Sequence, residues 1–447
     1  MRKTGRTGFR PEKNRTAGKR AEYQSGPAKR SSQEHGKTVP HRQQEQANSS
    51  LCGRESLFLD EKIPADARKV IESFDSIVQG VKPLNSRQLN SLPENIRNLS
   101  HLLTDTRGER RMGYLNENIM LSAYTRYFVW WNLVRLVRLF SNLPRGAFPD
   151  RDCICLDAGS GPLTVVTALW LARPELRNLN LVWYCLDISQ NSLSLGEDLY
   201  LSVAAKTPPI CTETGNAPEP HWKIIRIKGN FGTGIRQKAS FITCANMLNE
   251  ADQASDMPPE FQAKKYFSQF IEYADANPKF LLVEPGVPKA ARTLSLLRGY
   301  FIKNGFGITS PCPHDGDCPM NGFKAFTGSR NKWCNFAFST ENAPAALQKL
   351  SSAAKLPKER AVLSFLAAAK QASPNTAPQN ELPVRITSDS IKLPGNSSGH
   401  YACGKDGLYL VCGDGGIMSG DLLRIIPKKK NSAAEKDGKT GAVKLIL

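Results

Sequence analysis

Two groups of residues in this 447-residue chain have types and spacings that suit chemistry. The first is Ile154-Cys-Leu-Asp157-Ala-Gly159-Ser-Gly161-Pro162. A short apolar run ends in an acid and a glycine pair, and a helical pattern follows from Leu163 to Leu171. That predicts a buried strand turning sharply into a helix. Glycines let the backbone approach a ligand where a Cβ would clash. Asp157, at the strand end, can accept hydrogen bonds from an amine or a hydroxyl. The second group is Cys312-Pro-His314-Asp-Gly-Asp-Cys318, then Trp333-Cys334, then Tyr401-Ala-Cys403. Paired thiols in a tight Pro- and Gly-containing loop can both turn inward. Zinc takes four Cys or His in a tetrahedron, with His314 available. An iron–sulfur cluster takes four thiolates, often next to Pro. Both chemistries fit these residues. The spacing is not the Cys-x3-Cys-x2-Cys of radical enzymes. Cys153, Cys155, Cys185 and Cys244 fall on predicted strands and suit inert core thiols.

The glycine loop is not a dinucleotide loop, because the third glycine position of G-x-G-x-x-G holds Thr164. It lacks the G-K-[ST] ending of a P-loop. It looks like the S-adenosylmethionine-binding loop of a Rossmann-like methyltransferase. The elements that must position it alternate strand and helix from Asp152 on, as a parallel sheet requires. Strands are predicted at Cys153–Leu156, Leu181–Leu186, Lys223–Ile227, Phe241–Ala245 and Phe280–Val283, with a helix over Lys289–Lys303. Polar residues stand at the strand ends: Asp187, Asn230 after Gly229, Asn249-Glu250 and Glu284. This order resembles a class I methyltransferase. The resemblance implies that Asp187 meets the cofactor ribose and Asn230 the adenine edge, beside Asp157, Gly159 and Gly161. Ligands sit at the carboxyl ends of such strands.

Around that domain (150–340) the chain divides by composition. Residues 62–145 are expected to be helical, with periodic apolar residues over Ala65–Val78, Ser86–Leu103 and Asn118–Leu143. The last stretch is aromatic, carrying Tyr124, Tyr127, Phe128, Trp130 and Trp131, which suits a helical layer packed on the next domain. Arg107–Arg111 is either a basic patch or a solvated loop. Lys206–Pro220 is expected to be a loop or insertion. Residues 343–380 are expected to be a helix, over the Ala- and Lys-rich Ala343–Lys370, and a linker. Residues 381–426 are expected to form a small β-rich appendage. Residues 1–55 and 427–447 are expected to be basic tails, the first of them disordered.

The formal charge of +19 is concentrated at the two ends. Residues 1–50 hold 12 Lys and Arg against 4 Asp and Glu, and residues 421–447 hold 7 against 3. Basic ends on a mildly basic middle suit a phosphate-rich partner, nucleic acid first. A solubilising or membrane-attracted tail is the alternative. No run approaches the roughly eighteen apolar residues of a membrane span. The N-terminus has no apolar h-region of a secretory signal, while its Arg and Ser content leaves a mitochondrial transit role open. Eleven cysteines without a sign of secretion suit thiols or metal ligands rather than disulfides.

Taken together, Tyr114-Leu115, Ser122-Ala-Tyr124, Leu156–Pro162, Asp187-Ile-Ser189, Leu248-Asn-Glu250, Glu284-Pro-Gly286, Cys312-Pro-His314, Cys318-Pro319 and Trp333-Cys334 resemble a known family. It is that of the methyltransferase-like small-ribosomal-subunit assembly factors of bacteria and mitochondria. The likeness runs from Arg111 to near Ile426, and the cysteine set is its specific part. It implies an α/β chain with a class I Rossmann-like methyltransferase fold, an N-terminal helical layer and a small C-terminal β-rich appendage. It implies a four-iron–four-sulfur (4Fe-4S) cluster on Cys312, Cys318, Cys334 and Cys403, with Cys412 the fallback for the fourth ligand and zinc the lesser alternative. His314 then shapes the loop. The implied partners are small-subunit rRNA and ribosomal proteins, with no membrane and a monomeric chain. The implied compartment is the bacterial cytoplasm or the mitochondrial matrix.

The expected function is an assembly factor that binds S-adenosylmethionine, an iron–sulfur cluster and rRNA. The rivals are an active rRNA methyltransferase and a zinc-stabilised RNA-binding module. Asn246-Met-Leu-Asn-Glu250 lacks the Pro-Pro-aromatic motif that grips an exocyclic amine, and no Pro-Cys pair precedes it. Asn249 suits either substrate positioning or a helix N-cap. No residue is assigned a catalytic role.

Overall fold

The computed structural model describes residues 49–104, 114–209, 219–251, 257–323, 327–328, 330–370, 378, 380–413, 415–428 and 435–447. Most of the N-terminal tail and Arg107–Arg111 lie outside them. The described chain opens with strand β1 (Ser49–Glu55), followed by helices α1 (Ala65–Glu72), α2 (Phe74–Val81) and α3 (Ser86–Thr104). The aromatic stretch follows as α4 (Asn118–Ala123), a π-helical turn (Tyr124–Val129) and α5 (Trp130–Asn142). Its rings are core residues, and their polar atoms are satisfied. Trp130 Nε1 donates to the Ile71 carbonyl at 2.8 Å, Trp131 Nε1 to Ser351 Oγ at 3.1 Å, and the Tyr127 hydroxyl to the Leu356 carbonyl at 2.9 Å.

The alternating region comprises β2 (Cys153–Ala158), α6 (Thr164–Ala172), β3 (Leu181–Asp187), α7 (Gln190–Lys206), β4 (Lys223–Lys228), β5 (Ala239–Ala245), α8 (Met247–Ala251), α9 (Pro259–Tyr273), β6 (Ala274–Pro285), α10 (Pro288–Lys303) and β7 (Gly307–Ser310). After it come β8 (Phe336–Ser339), α11 (Ala345–Ala353) and β9 (Arg360–Ala369). The strands form one sheet in the order β4-β3-β2-β5-β6-β9-β7, with β8 paired to β9. All pairings from β4 to β6 are parallel, and β9 runs antiparallel to both β6 and β7. One reversed strand inserted next to the edge of a parallel sheet gives the class I methyltransferase order.

Side chains alternate across the sheet with period two. Cys155, Trp183, Phe241, Leu281 and Phe365 face the core shared with α1, α2, α5, α6 and α7. Leu156, Tyr184, Ile242, Phe280 and Leu366 face the core shared with α9 and α10. Both faces are covered, which is why these strands are apolar throughout rather than alternating.

The second sheet is built by β10 (Leu382–Ile386), β11 (Ile391–Lys392), β12 (Ser398–Gly404), β13 (Gly407–Cys412), β14 (Leu422–Pro427) and β15 (Val443–Ile446), in the order β1-β14-β10-β12-β13-β15. One face holds its own core of Val384, Ala402, Val411, Leu423 and Ile425. On the other face Tyr401, Leu410 and Cys412 pack with Met320, Cys318 and Cys334 of the first domain.

Three sequence expectations are corrected here. Ala343–Lys370 is not one helix: α11 ends at Ala353, and Arg360–Ala369 is the strand β9. Alanine favours helices, but a slot between β6 and β7, buried on both faces, overrides propensity. The 1–55 tail is ordered over β1, which pairs antiparallel with β14. Arg54 reaches the buried Asp421 carboxylate at 2.7 Å, and Ser49 Oγ donates to the Ile446 carbonyl at 2.8 Å. The 427–447 tail likewise supplies β15, parallel to β13. Among the described residues no helix is long and apolar enough to cross a membrane.

Candidate functional site

The glycine loop lies at the carboxyl end of β2, beside β5. The chain order reverses between these strands, the place where a doubly wound sheet opens a crevice. Gly159 and Gly161 take positive φ of 70° and 51°, and Leu163, before α6, takes 52°. A Cβ on Gly159 would sit 2.5 Å from Met247 Cγ, so a side chain here would displace Met247 and hold an unfavourable φ. Gly196 of α7 lets that helix lie against the loop, because a Cβ there would meet the Pro162 carbonyl carbon at 2.4 Å. The Gly159 and Ser160 N–H groups donate to the Leu186 carbonyl at 2.9 and 3.0 Å.

Asp157 is fully buried and directly opposite Thr243 in the β2–β5 pairing. Thr243 Oγ1 donates to its Oδ1 at 2.7 Å, while its Oδ2 has no partner. Burial pushes its carboxyl up to about 7, against the Thr243 hydrogen bond, with the neighbouring Asp187 adding to the rise. Asp187 accepts from Gly161 N at 3.0 Å and Ser189 N at 2.8 Å, and burial raises its carboxyl despite those bonds. Asn230 is exposed at the end of β4; the Gly229 N–H, donating to the Asp187 carbonyl at 3.0 Å, draws that end toward β3. The five sequence-predicted cofactor residues therefore gather along one rim of the sheet.

Three further groups at this rim carry no role that their sequence pattern assigns. Glu284, fully buried at the end of β6, accepts from the Leu248 and Asn249 N–H groups at 3.0 and 3.1 Å. It caps α8, which corrects the N-cap expectation for Asn249: that residue lies inside the helix and its N–H is the donor. Asn246 has φ of +60°, and its Oδ1 accepts from Arg135 of α5 at 3.0 Å. Burial lowers the Arg135 guanidinium to about 10, and the Glu284 charge opposes that fall. The signal for Arg135, one arginine in an aromatic helix, is too common to interpret without the fold.

The cysteines come from three segments. Cys312 and Cys318 follow β7, Cys334 precedes β8, and Cys403 lies on β12 of the other sheet. All four are free thiols. Burial and then the charges of Cys403, Cys318 and Cys312 raise the Cys334 thiol. Burial and then Cys312 and Cys318 raise Cys403. Burial raises Cys312, with the Arg298 guanidinium the main opposing influence. The four sulfurs thus lie within one another's field, with no group of three or more His, Cys, Asp or Glu among the described residues drawn together as a metal site. Cys412 lies on the same sheet face as Cys403 but opposite Gly399, whereas Cys403 is opposite Leu408. That puts it on the order of 13 Å along the strand from Cys403. His314 is buried with both ring nitrogens unpartnered, and burial, then Arg298, lowers it to about 4. The donor set fits a four-thiolate centre in kind: four free thiols, two buried guanidinium groups nearby (Arg298 and Arg385), and a neutral His314. A cavity of about 500 Å³ among Arg68, Arg138, Phe338 and Thr340 contains none of these residues.

The strand order and crevice define a methyltransferase-like protein. Residues 233–398, somewhat over a third of the chain, match the family model described as mitochondrial small ribosomal subunit Rsm22. That match spans Cys312, Cys318 and Cys334 and stops short of Cys403. No curated protein matches. Solved structures with similarity include the magnesium protoporphyrin IX methyltransferase of Synechocystis with bound SAH, 13% identical, with 68% of this chain and 100% of that one covered at a TM-score of 0.29. A SAM-dependent methyltransferase of Geobacter sulfurreducens in complex with S-adenosyl-L-homocysteine is 10% identical, with 60% and 97% covered at 0.28. The ribosomal protein L11 methylase of Lactobacillus delbrueckii is 12% identical, with 40% and 68% covered at 0.24. The strand order stands independently of these likenesses.

Proposed function

We propose that this protein is an assembly factor of the small ribosomal subunit that binds S-adenosylmethionine at the glycine loop and a 4Fe-4S cluster at the four cysteines. The observation that supports the reading is the packing of Cys318 and Cys334 against the sheet face that carries Tyr401, on the strand of Cys403, and Leu410, with Cys312 bonded by Arg298, in a chain whose residues 233–398 match a small-ribosomal-subunit family.

In the cleft, Gly159 and Gly161 leave room for the cofactor backbone. Asp187 would meet the ribose hydroxyls, exchanging its bonds to Gly161 and Ser189 N–H. Asn230 would meet the adenine edge. Asp157, with a free buried oxygen, is placed to accept from the cofactor amine, which would draw its carboxyl back to the ionised form. S-adenosylmethionine, when bound, supplies an electrophilic methyl group. The cluster, held by Cys312, Cys318, Cys334 and Cys403, would clamp the C-terminal sheet to the methyltransferase-like domain. The basic ends suit rRNA and its ribosomal-protein neighbours, in the mitochondrial matrix of a eukaryotic cell or the cytoplasm of a bacterium.

Anaerobically purified protein should be brown and contain iron; a colourless protein containing zinc or no metal would sink the cluster. Calorimetry should detect S-adenosylmethionine, and no heat at any concentration would remove the cofactor. The second reading, methyl transfer to rRNA, is favoured by one observation. Asn246 is held in a left-handed conformation at the cleft by Arg135 and can position a substrate. Labelled methyl transfer to immature small-subunit RNA, abolished by Asp157→Ala, would establish it.

A further inference from the structure

Two buried cations stand at the thiol centre. Arg298, on α10, is 4% exposed and Arg385, on β10, is 8% exposed. Arg298 donates Nε–H to Cys312 Sγ at 3.1 Å and a second N–H to the His314 carbonyl at 2.7 Å. It therefore grips both the thiol and the loop that carries it. Arg385 lies directly opposite Cys403 in the β10–β12 pairing and donates to the Pro311 and Gly420 carbonyls, each at 2.8 Å. A guanidinium cannot discard its proton in a protein, so Arg298 keeps a fixed positive charge against the Cys312 sulfur it bonds. An N–H bonded to a cluster sulfur is a main protein lever on cluster potential.

We propose that Arg298 is a positioning residue for the thiol centre: its Nε–H holds the Cys312 sulfur toward the other three, and its fixed charge stabilises the reduced, more negative state of the bound cluster. Arg385 supplies the second fixed charge from the opposite sheet. This rests on the iron–sulfur reading. Lysine at 298 would keep a charge but not the planar two-pronged grip.

The test uses full-length protein, purified anaerobically. Wild type, R298K and R298Q are compared for iron content, midpoint potential by spectroelectrochemistry and iron release to a chelator. R298Q should hold a cluster with a lower potential and release iron at least tenfold faster, with R298K nearer wild type in potential. Resonance Raman in H₂O and D₂O gives an independent readout that needs no R298Q protein. The Fe–S(Cys) stretch should shift on deuteration in wild type, and less in R298K. A wild type that holds a cluster, with R298Q unchanged in potential and iron release, overturns this inference and leaves the cluster in place. Equal deuterium shifts in wild type and R298K also overturn it. An iron-free wild type sinks the cluster and this inference together.

Discussion

The glycine cleft and the thiol centre solve opposite problems. The cleft is made by neighbours in sequence and sheet: one loop, the strand beside it, and the helix that follows. Its backbone is fixed without a ligand, because Gly159, Gly161 and Asp187 are already bonded to one another's strands. Its acids are buried and raised, so it is electrostatically unfinished in the direction that welcomes a cation or a hydroxyl. The thiol centre is assembled from segments about ninety residues apart, across two sheets, and its charged partners are arginines. Burial, before any neighbouring charge, raises the Cys334 and Cys403 thiols. One site is formed by neighbours within one sheet; the other draws on segments of two sheets.

The sharpest way to break this contrast is to destroy one site and measure the other. Gly159→Arg combines an unfavourable φ with a Cβ that would clash with Met247. It should reduce S-adenosylmethionine binding by at least a hundredfold in calorimetry while iron content stays at the wild-type level. Cys334→Ser should do the reverse, with iron lost and S-adenosylmethionine affinity within threefold of wild type; Cys412→Ser should keep its iron. Loss of both ligands in either variant would mean that the sites are coupled.

A smaller effect should appear in pH dependence. The Asp157 carboxyl is raised to about 7 in the folded protein, against an unfolded value of about 3.9. Between those values the folded state holds a proton that the unfolded state lacks, so stability falls as pH rises through the window and levels off above about 7. A tenfold change in an acid constant is worth about 1.4 kcal/mol, and relaxation of the site makes the full sum an upper limit. Denaturant midpoints measured from pH 5 to pH 8 should fall less steeply in Asp157→Asn than in wild type; parallel curves would place the pH dependence elsewhere. The smallest effect is expected from Gly161→Ala. Its φ of +51° is unfavourable for alanine, but the nearest atom to a Cβ is Ser192 Oγ at 4.0 Å. A loss of about 1 kcal/mol in unfolding free energy and a modest weakening of cofactor binding should follow.

Much of this was legible in the chain. The strand at Cys153, the glycine pair, Asp187 and the five leading strands are local patterns, set by runs of apolar residues and by residues that only turns accept. The cysteine pair Cys312 and Cys318 was legible because a polar, Pro- and Gly-containing loop is a poor place for inert thiols. What was not legible has long-range causes. Arg360–Ala369 has a helical composition and became a strand because a slot beside β6 was open to it. Ser49–Glu55 has no strand pattern strong enough to stand alone and borrowed one from β14. Asn249 has the side chain of a cap, and Glu284, thirty-five residues further on, took the role.

The sequence by itself determined the order of elements, the glycine loop and which residue types are available as ligands, because propensity and side-chain period act over a few residues. Only the tertiary structure decided that Cys318 and Cys334 pack against the second sheet, which carboxylate caps α8, and that Arg298 and Arg385 are buried, Arg298 bonded to Cys312 and Arg385 opposite Cys403. Those outcomes depend on burial and charge between segments far apart in the chain, and the low-dielectric interior that gives them their weight exists only once the sheets have packed.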